Sequence, residues 1–315
     1  MNWRGRRTFG WASVCLAVIA VLFGGHRVAS HPHLTHDAQA LPNGPAPAGA
    51  FRFVALGDTG TGKKAQFEVA ERLADFHAKR PYDTVLMLGD NIYQSGKAAD
   101  LEKKFAQPYA PLLKEGVKFY PVLGNHDVRQ GRDAQVHYAL FNMGGQSYYS
   151  FVKGSASEEN LVAFFALDST VVNEAQLRWL EQALTATTAR WKIVYLHHPL
   201  YSSGKAHGSD TKLRVQLEPL LVRHHVTAVL AGHEHFYERI VPQQGIYHFI
   251  SGAGGQLRRG DLRRNTSLTA AGNDQVNSFM FFEVQHERIQ FWAIGASGEV
   301  LDQGSITQGS LKASP

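Results

Sequence analysis

Short apolar runs alternate with amphipathic stretches along the first half of the chain. Phe51 to Leu56 reads as a strand. From Lys64 to Lys79, Phe67, Ala70, Leu73, Ala74 and Phe76 or His77 fall near one face at helical spacing, and Pro81 stops the helix. Thr84 to Leu88 and Lys118 to Leu123 predict two more strands. The helix between them, near Ala98 to Leu113, is broken or kinked at Pro108 and Pro111. Strand, helix, strand, helix, strand predicts a parallel sheet with crossover helices.

The second half repeats the pattern. Ser147 to Val152 and Leu161 to Leu167 read as strands, the second ending in a turn at Asp168. Asn173 caps a helix running to about Thr188, with Leu177, Leu180 and Leu184 on its buried face. Trp191 to Leu196 is a strand, Thr211 to His224 a helix, and Val226 to Leu230 a buried strand. From Tyr237 onward the pattern changes to short strands: Gly245 to Ile250, Ser278 to Val284, Ile289 to Ala293 and Val300 to Gly304. These predict antiparallel structure built onto the second sheet. Gln256 to Asn277 reads as a long loop whose Arg258, Arg259, Arg263 and Arg264 form solvated surface. No linker separates the halves, so the expectation is α/β: one domain with two facing sheets and helices outside.

The chemistry lies at the strand ends. The first three strands run into Gly57-Asp58-Thr59-Gly60, Gly89-Asp90-Asn91-Ile92-Tyr93 and Gly124-Asn125-His126-Asp127. Later strands run into His197-His198-Pro199 and Gly232-His233-Glu234-His235. Residues i and i+2 of an extended segment point to one side, so His233 and His235 can face a common point. In parallel sheets ligands bind outside the carboxyl ends of the strands. A single Gly-Asp is ordinarily a cap or turn; three successive strands that end in Gly followed by a metal-competent side chain, with paired histidines still to come, point to a metal site. The Gly- and Ser-rich loop from Leu200 to Asp210, which carries His207, has the composition of a loop beside an active site.

Composition narrows the metal. The 315 residues include 16 histidines and one cysteine, and the formal net charge is +5. Cys15 lies in the N-terminal apolar segment, so the folded part has neither disulfide nor thiolate ligand. His, Asp, Asn, Glu and Tyr donors suit iron, manganese or zinc. No Lys/Arg run marks a nucleic-acid surface.

Arg4, Arg6 and Arg7 precede an apolar stretch from Phe9 to Gly25, the pattern of a secretory signal. The stretch falls short of the ~20 residues of a comfortable membrane span. Cleavage after Ala40, or nearer Ser30, would export the protein to the periplasm or the extracellular space; the other reading is an uncleaved signal-anchor, which alone would bring a membrane. The chain thus divides into 1–40, signal peptide or anchor; 41–50, a Pro/Ala/Gly-rich linker; 51–305, the catalytic domain; and 306–315, a polar tail. Asn265-Thr266-Ser267 is a glycosylation sequon.

Taken together and in order, the five strand-end motifs resemble the purple acid phosphatases of the calcineurin-like metallophosphoesterase superfamily. The resemblance runs from about Phe51 to Gly304, in the short form of the tartrate-resistant acid phosphatase type. It implies a four-layer α-β-β-α sandwich, with two facing mixed sheets flanked by helices. It also implies two metals bridged by Asp90. Ferric iron would be held by Asp58, Asp90, Tyr93 and His235, and a divalent Fe, Zn or Mn by Asp90, Asn125, His197 and His233. His126 matches the family histidine that binds a phosphate oxygen or protonates the leaving alkoxide, and His207 resembles a second one. Asp127 would orient His126 or a metal ligand. His198 replaces a usual aromatic and is placed to contact substrate. The implied activity is hydrolysis of phosphate monoesters. Phosphodiesters, nucleotides or pyrophosphate are the alternative substrates for the same site, and a non-catalytic metal- or phosphate-binding protein is the remaining alternative.

Overall fold

The computed structural model describes Met1, the strand β1 (His33–Thr35) and residues 40–308. The basic and apolar N-terminal segment, with Cys15, lies outside the described residues. Among the described residues no helix is long and apolar enough to cross a membrane.

The first half folds as the alternation predicts. β2 (Phe51–Leu56), β3 (Thr84–Met87) and β4 (Lys118–Pro121) pair in parallel. α1 (Lys64–Lys79) makes the first crossover, burying Val69, Ala70, Leu73 and Phe76. Phe67, expected on that face, is exposed; Gln66 is buried instead, its amide accepting from Gly62 and donating to Lys104. The second crossover is not one kinked helix. It breaks into a 3-10 turn (Ala98–Asp100), a π-helical turn (Glu102–Ala106) and α2 (Ala110–Lys114), with Pro111 in its first turn. α3 (Arg132–Val136) follows β4.

The second sheet is built on β6 (Glu158–Ala166), β7 (Trp191–Leu196) and β8 (Ala228–Ala231), again parallel. β5 (Tyr149–Ser155) closes one edge antiparallel to β6. α4 (Glu174–Ala186) begins where Asn173 caps the Gln176 amide at 3.0 Å, and α5 (Thr211–Arg223) begins at the Asp210 cap. β9 (Tyr237–Ile240), β10 (Tyr247–Ser251) and β11 (Thr269–Asn273) complete the sheet in the order β11-β9-β10-β8-β7-β6-β5. β11 therefore interrupts the stretch 256–277 that reads as one loop, and β10 lies parallel to β8.

The last strands correct the sequence expectation. β12 (Ser278–Val284), β13 (Arg288–Gly295) and β14 (Val300–Thr307) leave the second sheet and join the first, where β12 pairs antiparallel with β2. The order is β1-β14-β13-β12-β2-β3-β4. Register explains the choice. Arg52 of β2 is buried and needs a buried partner, and Glu283 stands opposite it in β12, with Arg52 Nε donating to Oε2 at 2.8 Å. β14 runs through Thr307 with Ile306 fully buried, so the polar tail begins after 307 rather than at 306. β1, within the segment assigned to signal and linker, pairs with β14.

Three apolar layers result. Between the sheets, Phe53 stacks on Phe282 with ring centroids at 4.5 Å and meets Phe164 of the facing sheet edge-on at 5.0 Å. Burying one such ring contributes roughly 1.5–3 kcal/mol. Outside the first sheet, α1 covers Val54, Leu56 and Phe281; outside the second, α4 and α5 cover Phe165, Val194 and Leu196. This is the four-layer α-β-β-α sandwich.

Candidate metal centre

The parallel strands of both sheets end at one rim. β2 runs into Asp58, β3 into Asp90 and Tyr93, and β4 into Asn125 and His126; β7 runs into His197, and β8 into His233 and His235. The structure brings these side chains together from positions far apart in the chain.

The turns at this rim are strained and are held by the same side chains. Asp58, Asp90 and His233 have φ of 57°, 51° and 72°. Such left-handed conformations cost about 1–2 kcal/mol in residues that carry a Cβ. Asp58 Oδ2 accepts the His233 amide at 2.8 Å, and Asp90 Oδ1 accepts the His126 amide at 2.9 Å. Gly89, at φ +85°, also permits close approach between the sheets: a Cβ there would lie 2.5 Å from His197 Nδ1.

Two groups of donor atoms result. In the first, Tyr93 Oη lies 2.9 Å from Asp58 Oδ1 and 3.2 Å from His235 Nε2, and His235 Nε2 lies 3.4 Å from Asp58 Oδ1. In the second, His197 Nε2 lies 3.1 Å from Asn125 Oδ1 and 3.1 Å from His233 Nδ1. Asp90 stands between them, with Oδ1 3.6 Å from His197 Nε2; donor atoms of Asp58, Asp90 and His197 lie within 4.8 Å of one another. Ligands held at ~2.0–2.2 Å from one cation are separated from each other by about 3 Å, and these spacings match. His197 is already oriented: its Nδ1 donates to the Leu88 carbonyl at 2.8 Å, which leaves the Nε2 lone pair free.

The electrostatics call for a cation. Burial, then the charges of Asp58 and Asp90, push the Tyr93 phenol far above its ordinary value. Burial raises Asp58 as well, partly offset by His235. Burial, reinforced by His198, holds His197 neutral, and burial reinforced by His197 does the same for His233. Buried carboxylates beside lone-pair-bearing imidazoles are unfavourable on their own and favourable around a positive ion. The donor set therefore fits metal.

The remaining predicted residues surround this centre. His126 donates from Nδ1 to the Gln94 carbonyl at 2.7 Å, and its Nε2 lies 3.9 Å from Asp90 Oδ2. His207 stacks beside His233, with centroids at 4.1 Å. His198 sits beside His233 at 4.5 Å, and its Nδ1 meets the Ser169 hydroxyl at 2.9 Å. Asp127 reaches no histidine ring. Its buried carboxylate accepts the amides of Asn91, Ile92 and Gly124 and the side chains of Asn91 and Gln135, so it joins the β3 and β4 turns through their backbone. Burial, followed by the Asp90 charge, raises it to about 7. Asp168 closes a turn onto Thr170 and pairs with Arg132. Of the loop arginines, Arg258 faces Asp261 and Arg264 pairs with Asp274.

Sequence reasoning missed Ser169, Asn91 and Glu234. Ser169 Oγ accepts the amides of His197 and His198. Asn91 Nδ2 donates to the Val122 carbonyl at 2.8 Å. Glu234 is fully buried between the two histidines of its motif. The segment is not extended as expected, since β8 ends at Ala231 and His233 is left-handed, but a signal for Glu234 was present: a glutamate enclosed between two inward-facing histidines needs its own buried partner.

Comparison with known proteins agrees with this geometry. The family model described as calcineurin-like phosphoesterase matches residues 51–237. Purple acid phosphatase 17 of Arabidopsis thaliana is 30% identical over 82% of this chain and 83% of its own length. Tartrate-resistant acid phosphatase type 5 of Rattus norvegicus is 27% identical over 83% of this chain and 91% of its own length. The structure of a purple acid phosphatase from yellow lupin (Lupinus luteus) seeds superposes with a TM-score of 0.70 at 18% identity, covering 84% of this chain and 55% of that one, and shows the shared fold. The chain belongs to the calcineurin-like phosphoesterases and, among them, to the purple acid phosphatases, metal-dependent hydrolases of phosphate esters.

Proposed function

We propose that the protein is an exported acid phosphatase that hydrolyses phosphate monoesters at a dinuclear ferric–divalent centre. The observation that carries this reading is the pair of donor groups sharing Asp90. Asp58, Asp90, Tyr93 and His235 would hold the ferric ion; Asp90, Asn125, His197 and His233 would hold divalent iron, zinc or manganese. Tyr93, whose Oη lies 2.9 Å from Asp58 Oδ1 and 3.2 Å from His235 Nε2, supports the ferric assignment, because phenolate is a hard anionic donor that favours Fe(III). When bound, the two cations supply charge stabilisation to the phosphoryl oxygens and make hydroxide available below neutral pH.

The chain's own residues orient the substrate and move its protons. His126, fixed at Nδ1 by the Gln94 carbonyl, presents Nε2 beside Asp90 and holds a proton against a phosphate oxygen. His207, stacked beside His233, is assigned the leaving-group proton. His198 donates to substrate from the ring nitrogen that Ser169 leaves free. Arg4, Arg6 and Arg7, followed by the apolar stretch from Phe9 to Gly25, support export.

A pH–rate profile tests the reading. The full chain, prepared with iron and zinc, should hydrolyse a chromogenic aryl phosphomonoester with a maximum below neutral pH. An alkaline maximum would count against ferric iron. Turnover of diesters, nucleotides or pyrophosphate in preference to monoesters would change the substrate class, and no turnover with both metals bound would favour a binding protein. Cell fractionation of the full chain tests export.

A further inference from the structure

Three buried carboxylates fasten the loop Leu200 to Asp210. Glu238 Oε2 accepts the Ser203 amide at 3.0 Å, and Asp261 Oδ1 accepts the Ala206 amide at 3.0 Å. Glu234 Oε1 accepts the Gly208 amide at 2.6 Å and the Ser202 hydroxyl at 3.2 Å. The amides on either side of His207 are thus each tied to a carboxylate, and the imidazole is placed with little freedom in its own backbone.

Glu234 differs from the other two clamps in what its second oxygen faces. The residue is fully buried, and its Oε2 has no hydrogen-bond partner of ordinary geometry. A buried carboxylate oxygen left without a donor carries a full desolvation cost. The nitrogen facing it is His207 Nδ1, at 3.4 Å, and the His207 ring lies against His233, tilted by 32°. The loop fits closely over the carboxylate as well: a Cβ on Gly204 would collide with Glu234.

We propose that Glu234 is a positioning residue for His207. Its Oε2 takes the hydrogen bond from Nδ1–H, so Nε2 is the nitrogen that exchanges a proton with substrate. This rests on the phosphatase reading above and deepens it. In the hydrolytic step one P–O bond forms to the oxygen of water, whose two protons stay with the phosphate released, and one breaks to the ester oxygen. The Nε2 proton of the His207 imidazolium passes to that departing oxygen, leaving an alcohol and neutral His207 in its Nδ1–H form. A carboxylate behind the ring fixes this tautomer and the orientation of Nε2.

The test compares esters whose leaving groups differ in their need for a proton. Dinitrophenolate leaves unaided, whereas the alkoxide of an alkyl phosphate does not. For E234Q the loss on an alkyl phosphate should be roughly 10–100-fold in kcat and on dinitrophenyl phosphate under about threefold, the size expected for losing a partner that orients a functional residue and below the ~10²–10⁴ of the general acid itself. In an H207A background E234Q should cost under about threefold on either ester, since it acts through His207. E238Q and D261N, which loosen the same loop without facing the ring, should slow both esters alike. Heteronuclear NMR of histidine-labelled, metal-free protein provides a readout independent of turnover: His207 should carry its proton on Nδ1 in the natural protein and lose that preference in E234Q. Equal losses on the two esters, a full additional loss in the H207A background, or an unchanged His207 tautomer would each overturn the proposal. If the natural protein hydrolyses neither ester, the phosphatase reading fails, and the NMR result alone decides the Glu234–His207 contact.

Discussion

Asp58 and His233, 175 positions apart, are joined by a 2.8 Å hydrogen bond from the His233 amide to Asp58 Oδ2. Asp58 ends a strand of the first sheet and His233 follows a strand of the second. One carboxylate therefore ties the two sheets together at the rim where the donor atoms gather, while its other oxygen meets Tyr93 and His235.

That double duty makes Asp58 costly to replace. D58N is expected to retain the fold, lower iron content at least tenfold, and destabilise the metal-free protein by about 1–3 kcal/mol through the weakened cross-sheet bond. Metal analysis and urea unfolding check both parts. Undiminished iron binding would remove Asp58 from the ligand set.

Tyr93 gives an optical test. A phenolate on ferric iron should produce a visible charge-transfer band, and Tyr93→Phe should abolish it while leaving the divalent site occupied. Chelation of both metals should lower the melting temperature, because the buried donors are left without a cation. A visible band that persists in Y93F would assign the colour, and the ferric site, to other ligands.

His248, in β10 away from the donor cluster, predicts acid sensitivity. Burial, with a smaller push from Arg214, lowers it to about 3, and its Nε2 has no hydrogen-bond partner among the described residues. A histidine near its ordinary value in the unfolded chain takes up a proton below about 6.5, and the folded protein resists until about 3. The unfolded state therefore binds more protons in that window, and stability falls as pH drops through it. H248L should lose stability less steeply between pH 7 and pH 4 than the natural protein, as measured by urea midpoints. Parallel slopes would show that other groups govern the acid limb.

The buried pair of Arg52 and Glu283, with side chains 1% and 4% exposed, predicts an asymmetry. R52M should cost about 3–5 kcal/mol by leaving Glu283 uncompensated, while R52M/E283L should recover most of it. Equal losses in the single and double variants would mean that the pair does not select the β2–β12 register.

The candidate site was more legible than the packing around it. Its donor atoms lie immediately after apolar strands, and parallel strands deliver their ends to one rim, so strand order and residue type pointed to Asp58, Asp90, Asn125, His197, His233 and His235. Periodicity misplaced Phe67 because Gln66 finds two backbone partners when buried. It assigned β12 to β14 to the second sheet because an alternating pattern identifies a strand but not its neighbour. It read β11 as loop because Thr269–Asn273 is five residues long, mostly small, and carries no apolar alternation.

By itself, then, the sequence determined the α/β alternation, the kinds of donor atoms and their places at strand ends, since these depend on local periodicity and on donor chemistry. Tertiary structure alone decided that β12 would lie beside β2, that Asp127 would grip backbone amides instead of a histidine ring, and that the open oxygen of Glu234 would face His207. Each of these joins a buried polar group to a partner distant along the chain, and such groups find their partners only when the packed core brings them within hydrogen-bonding reach.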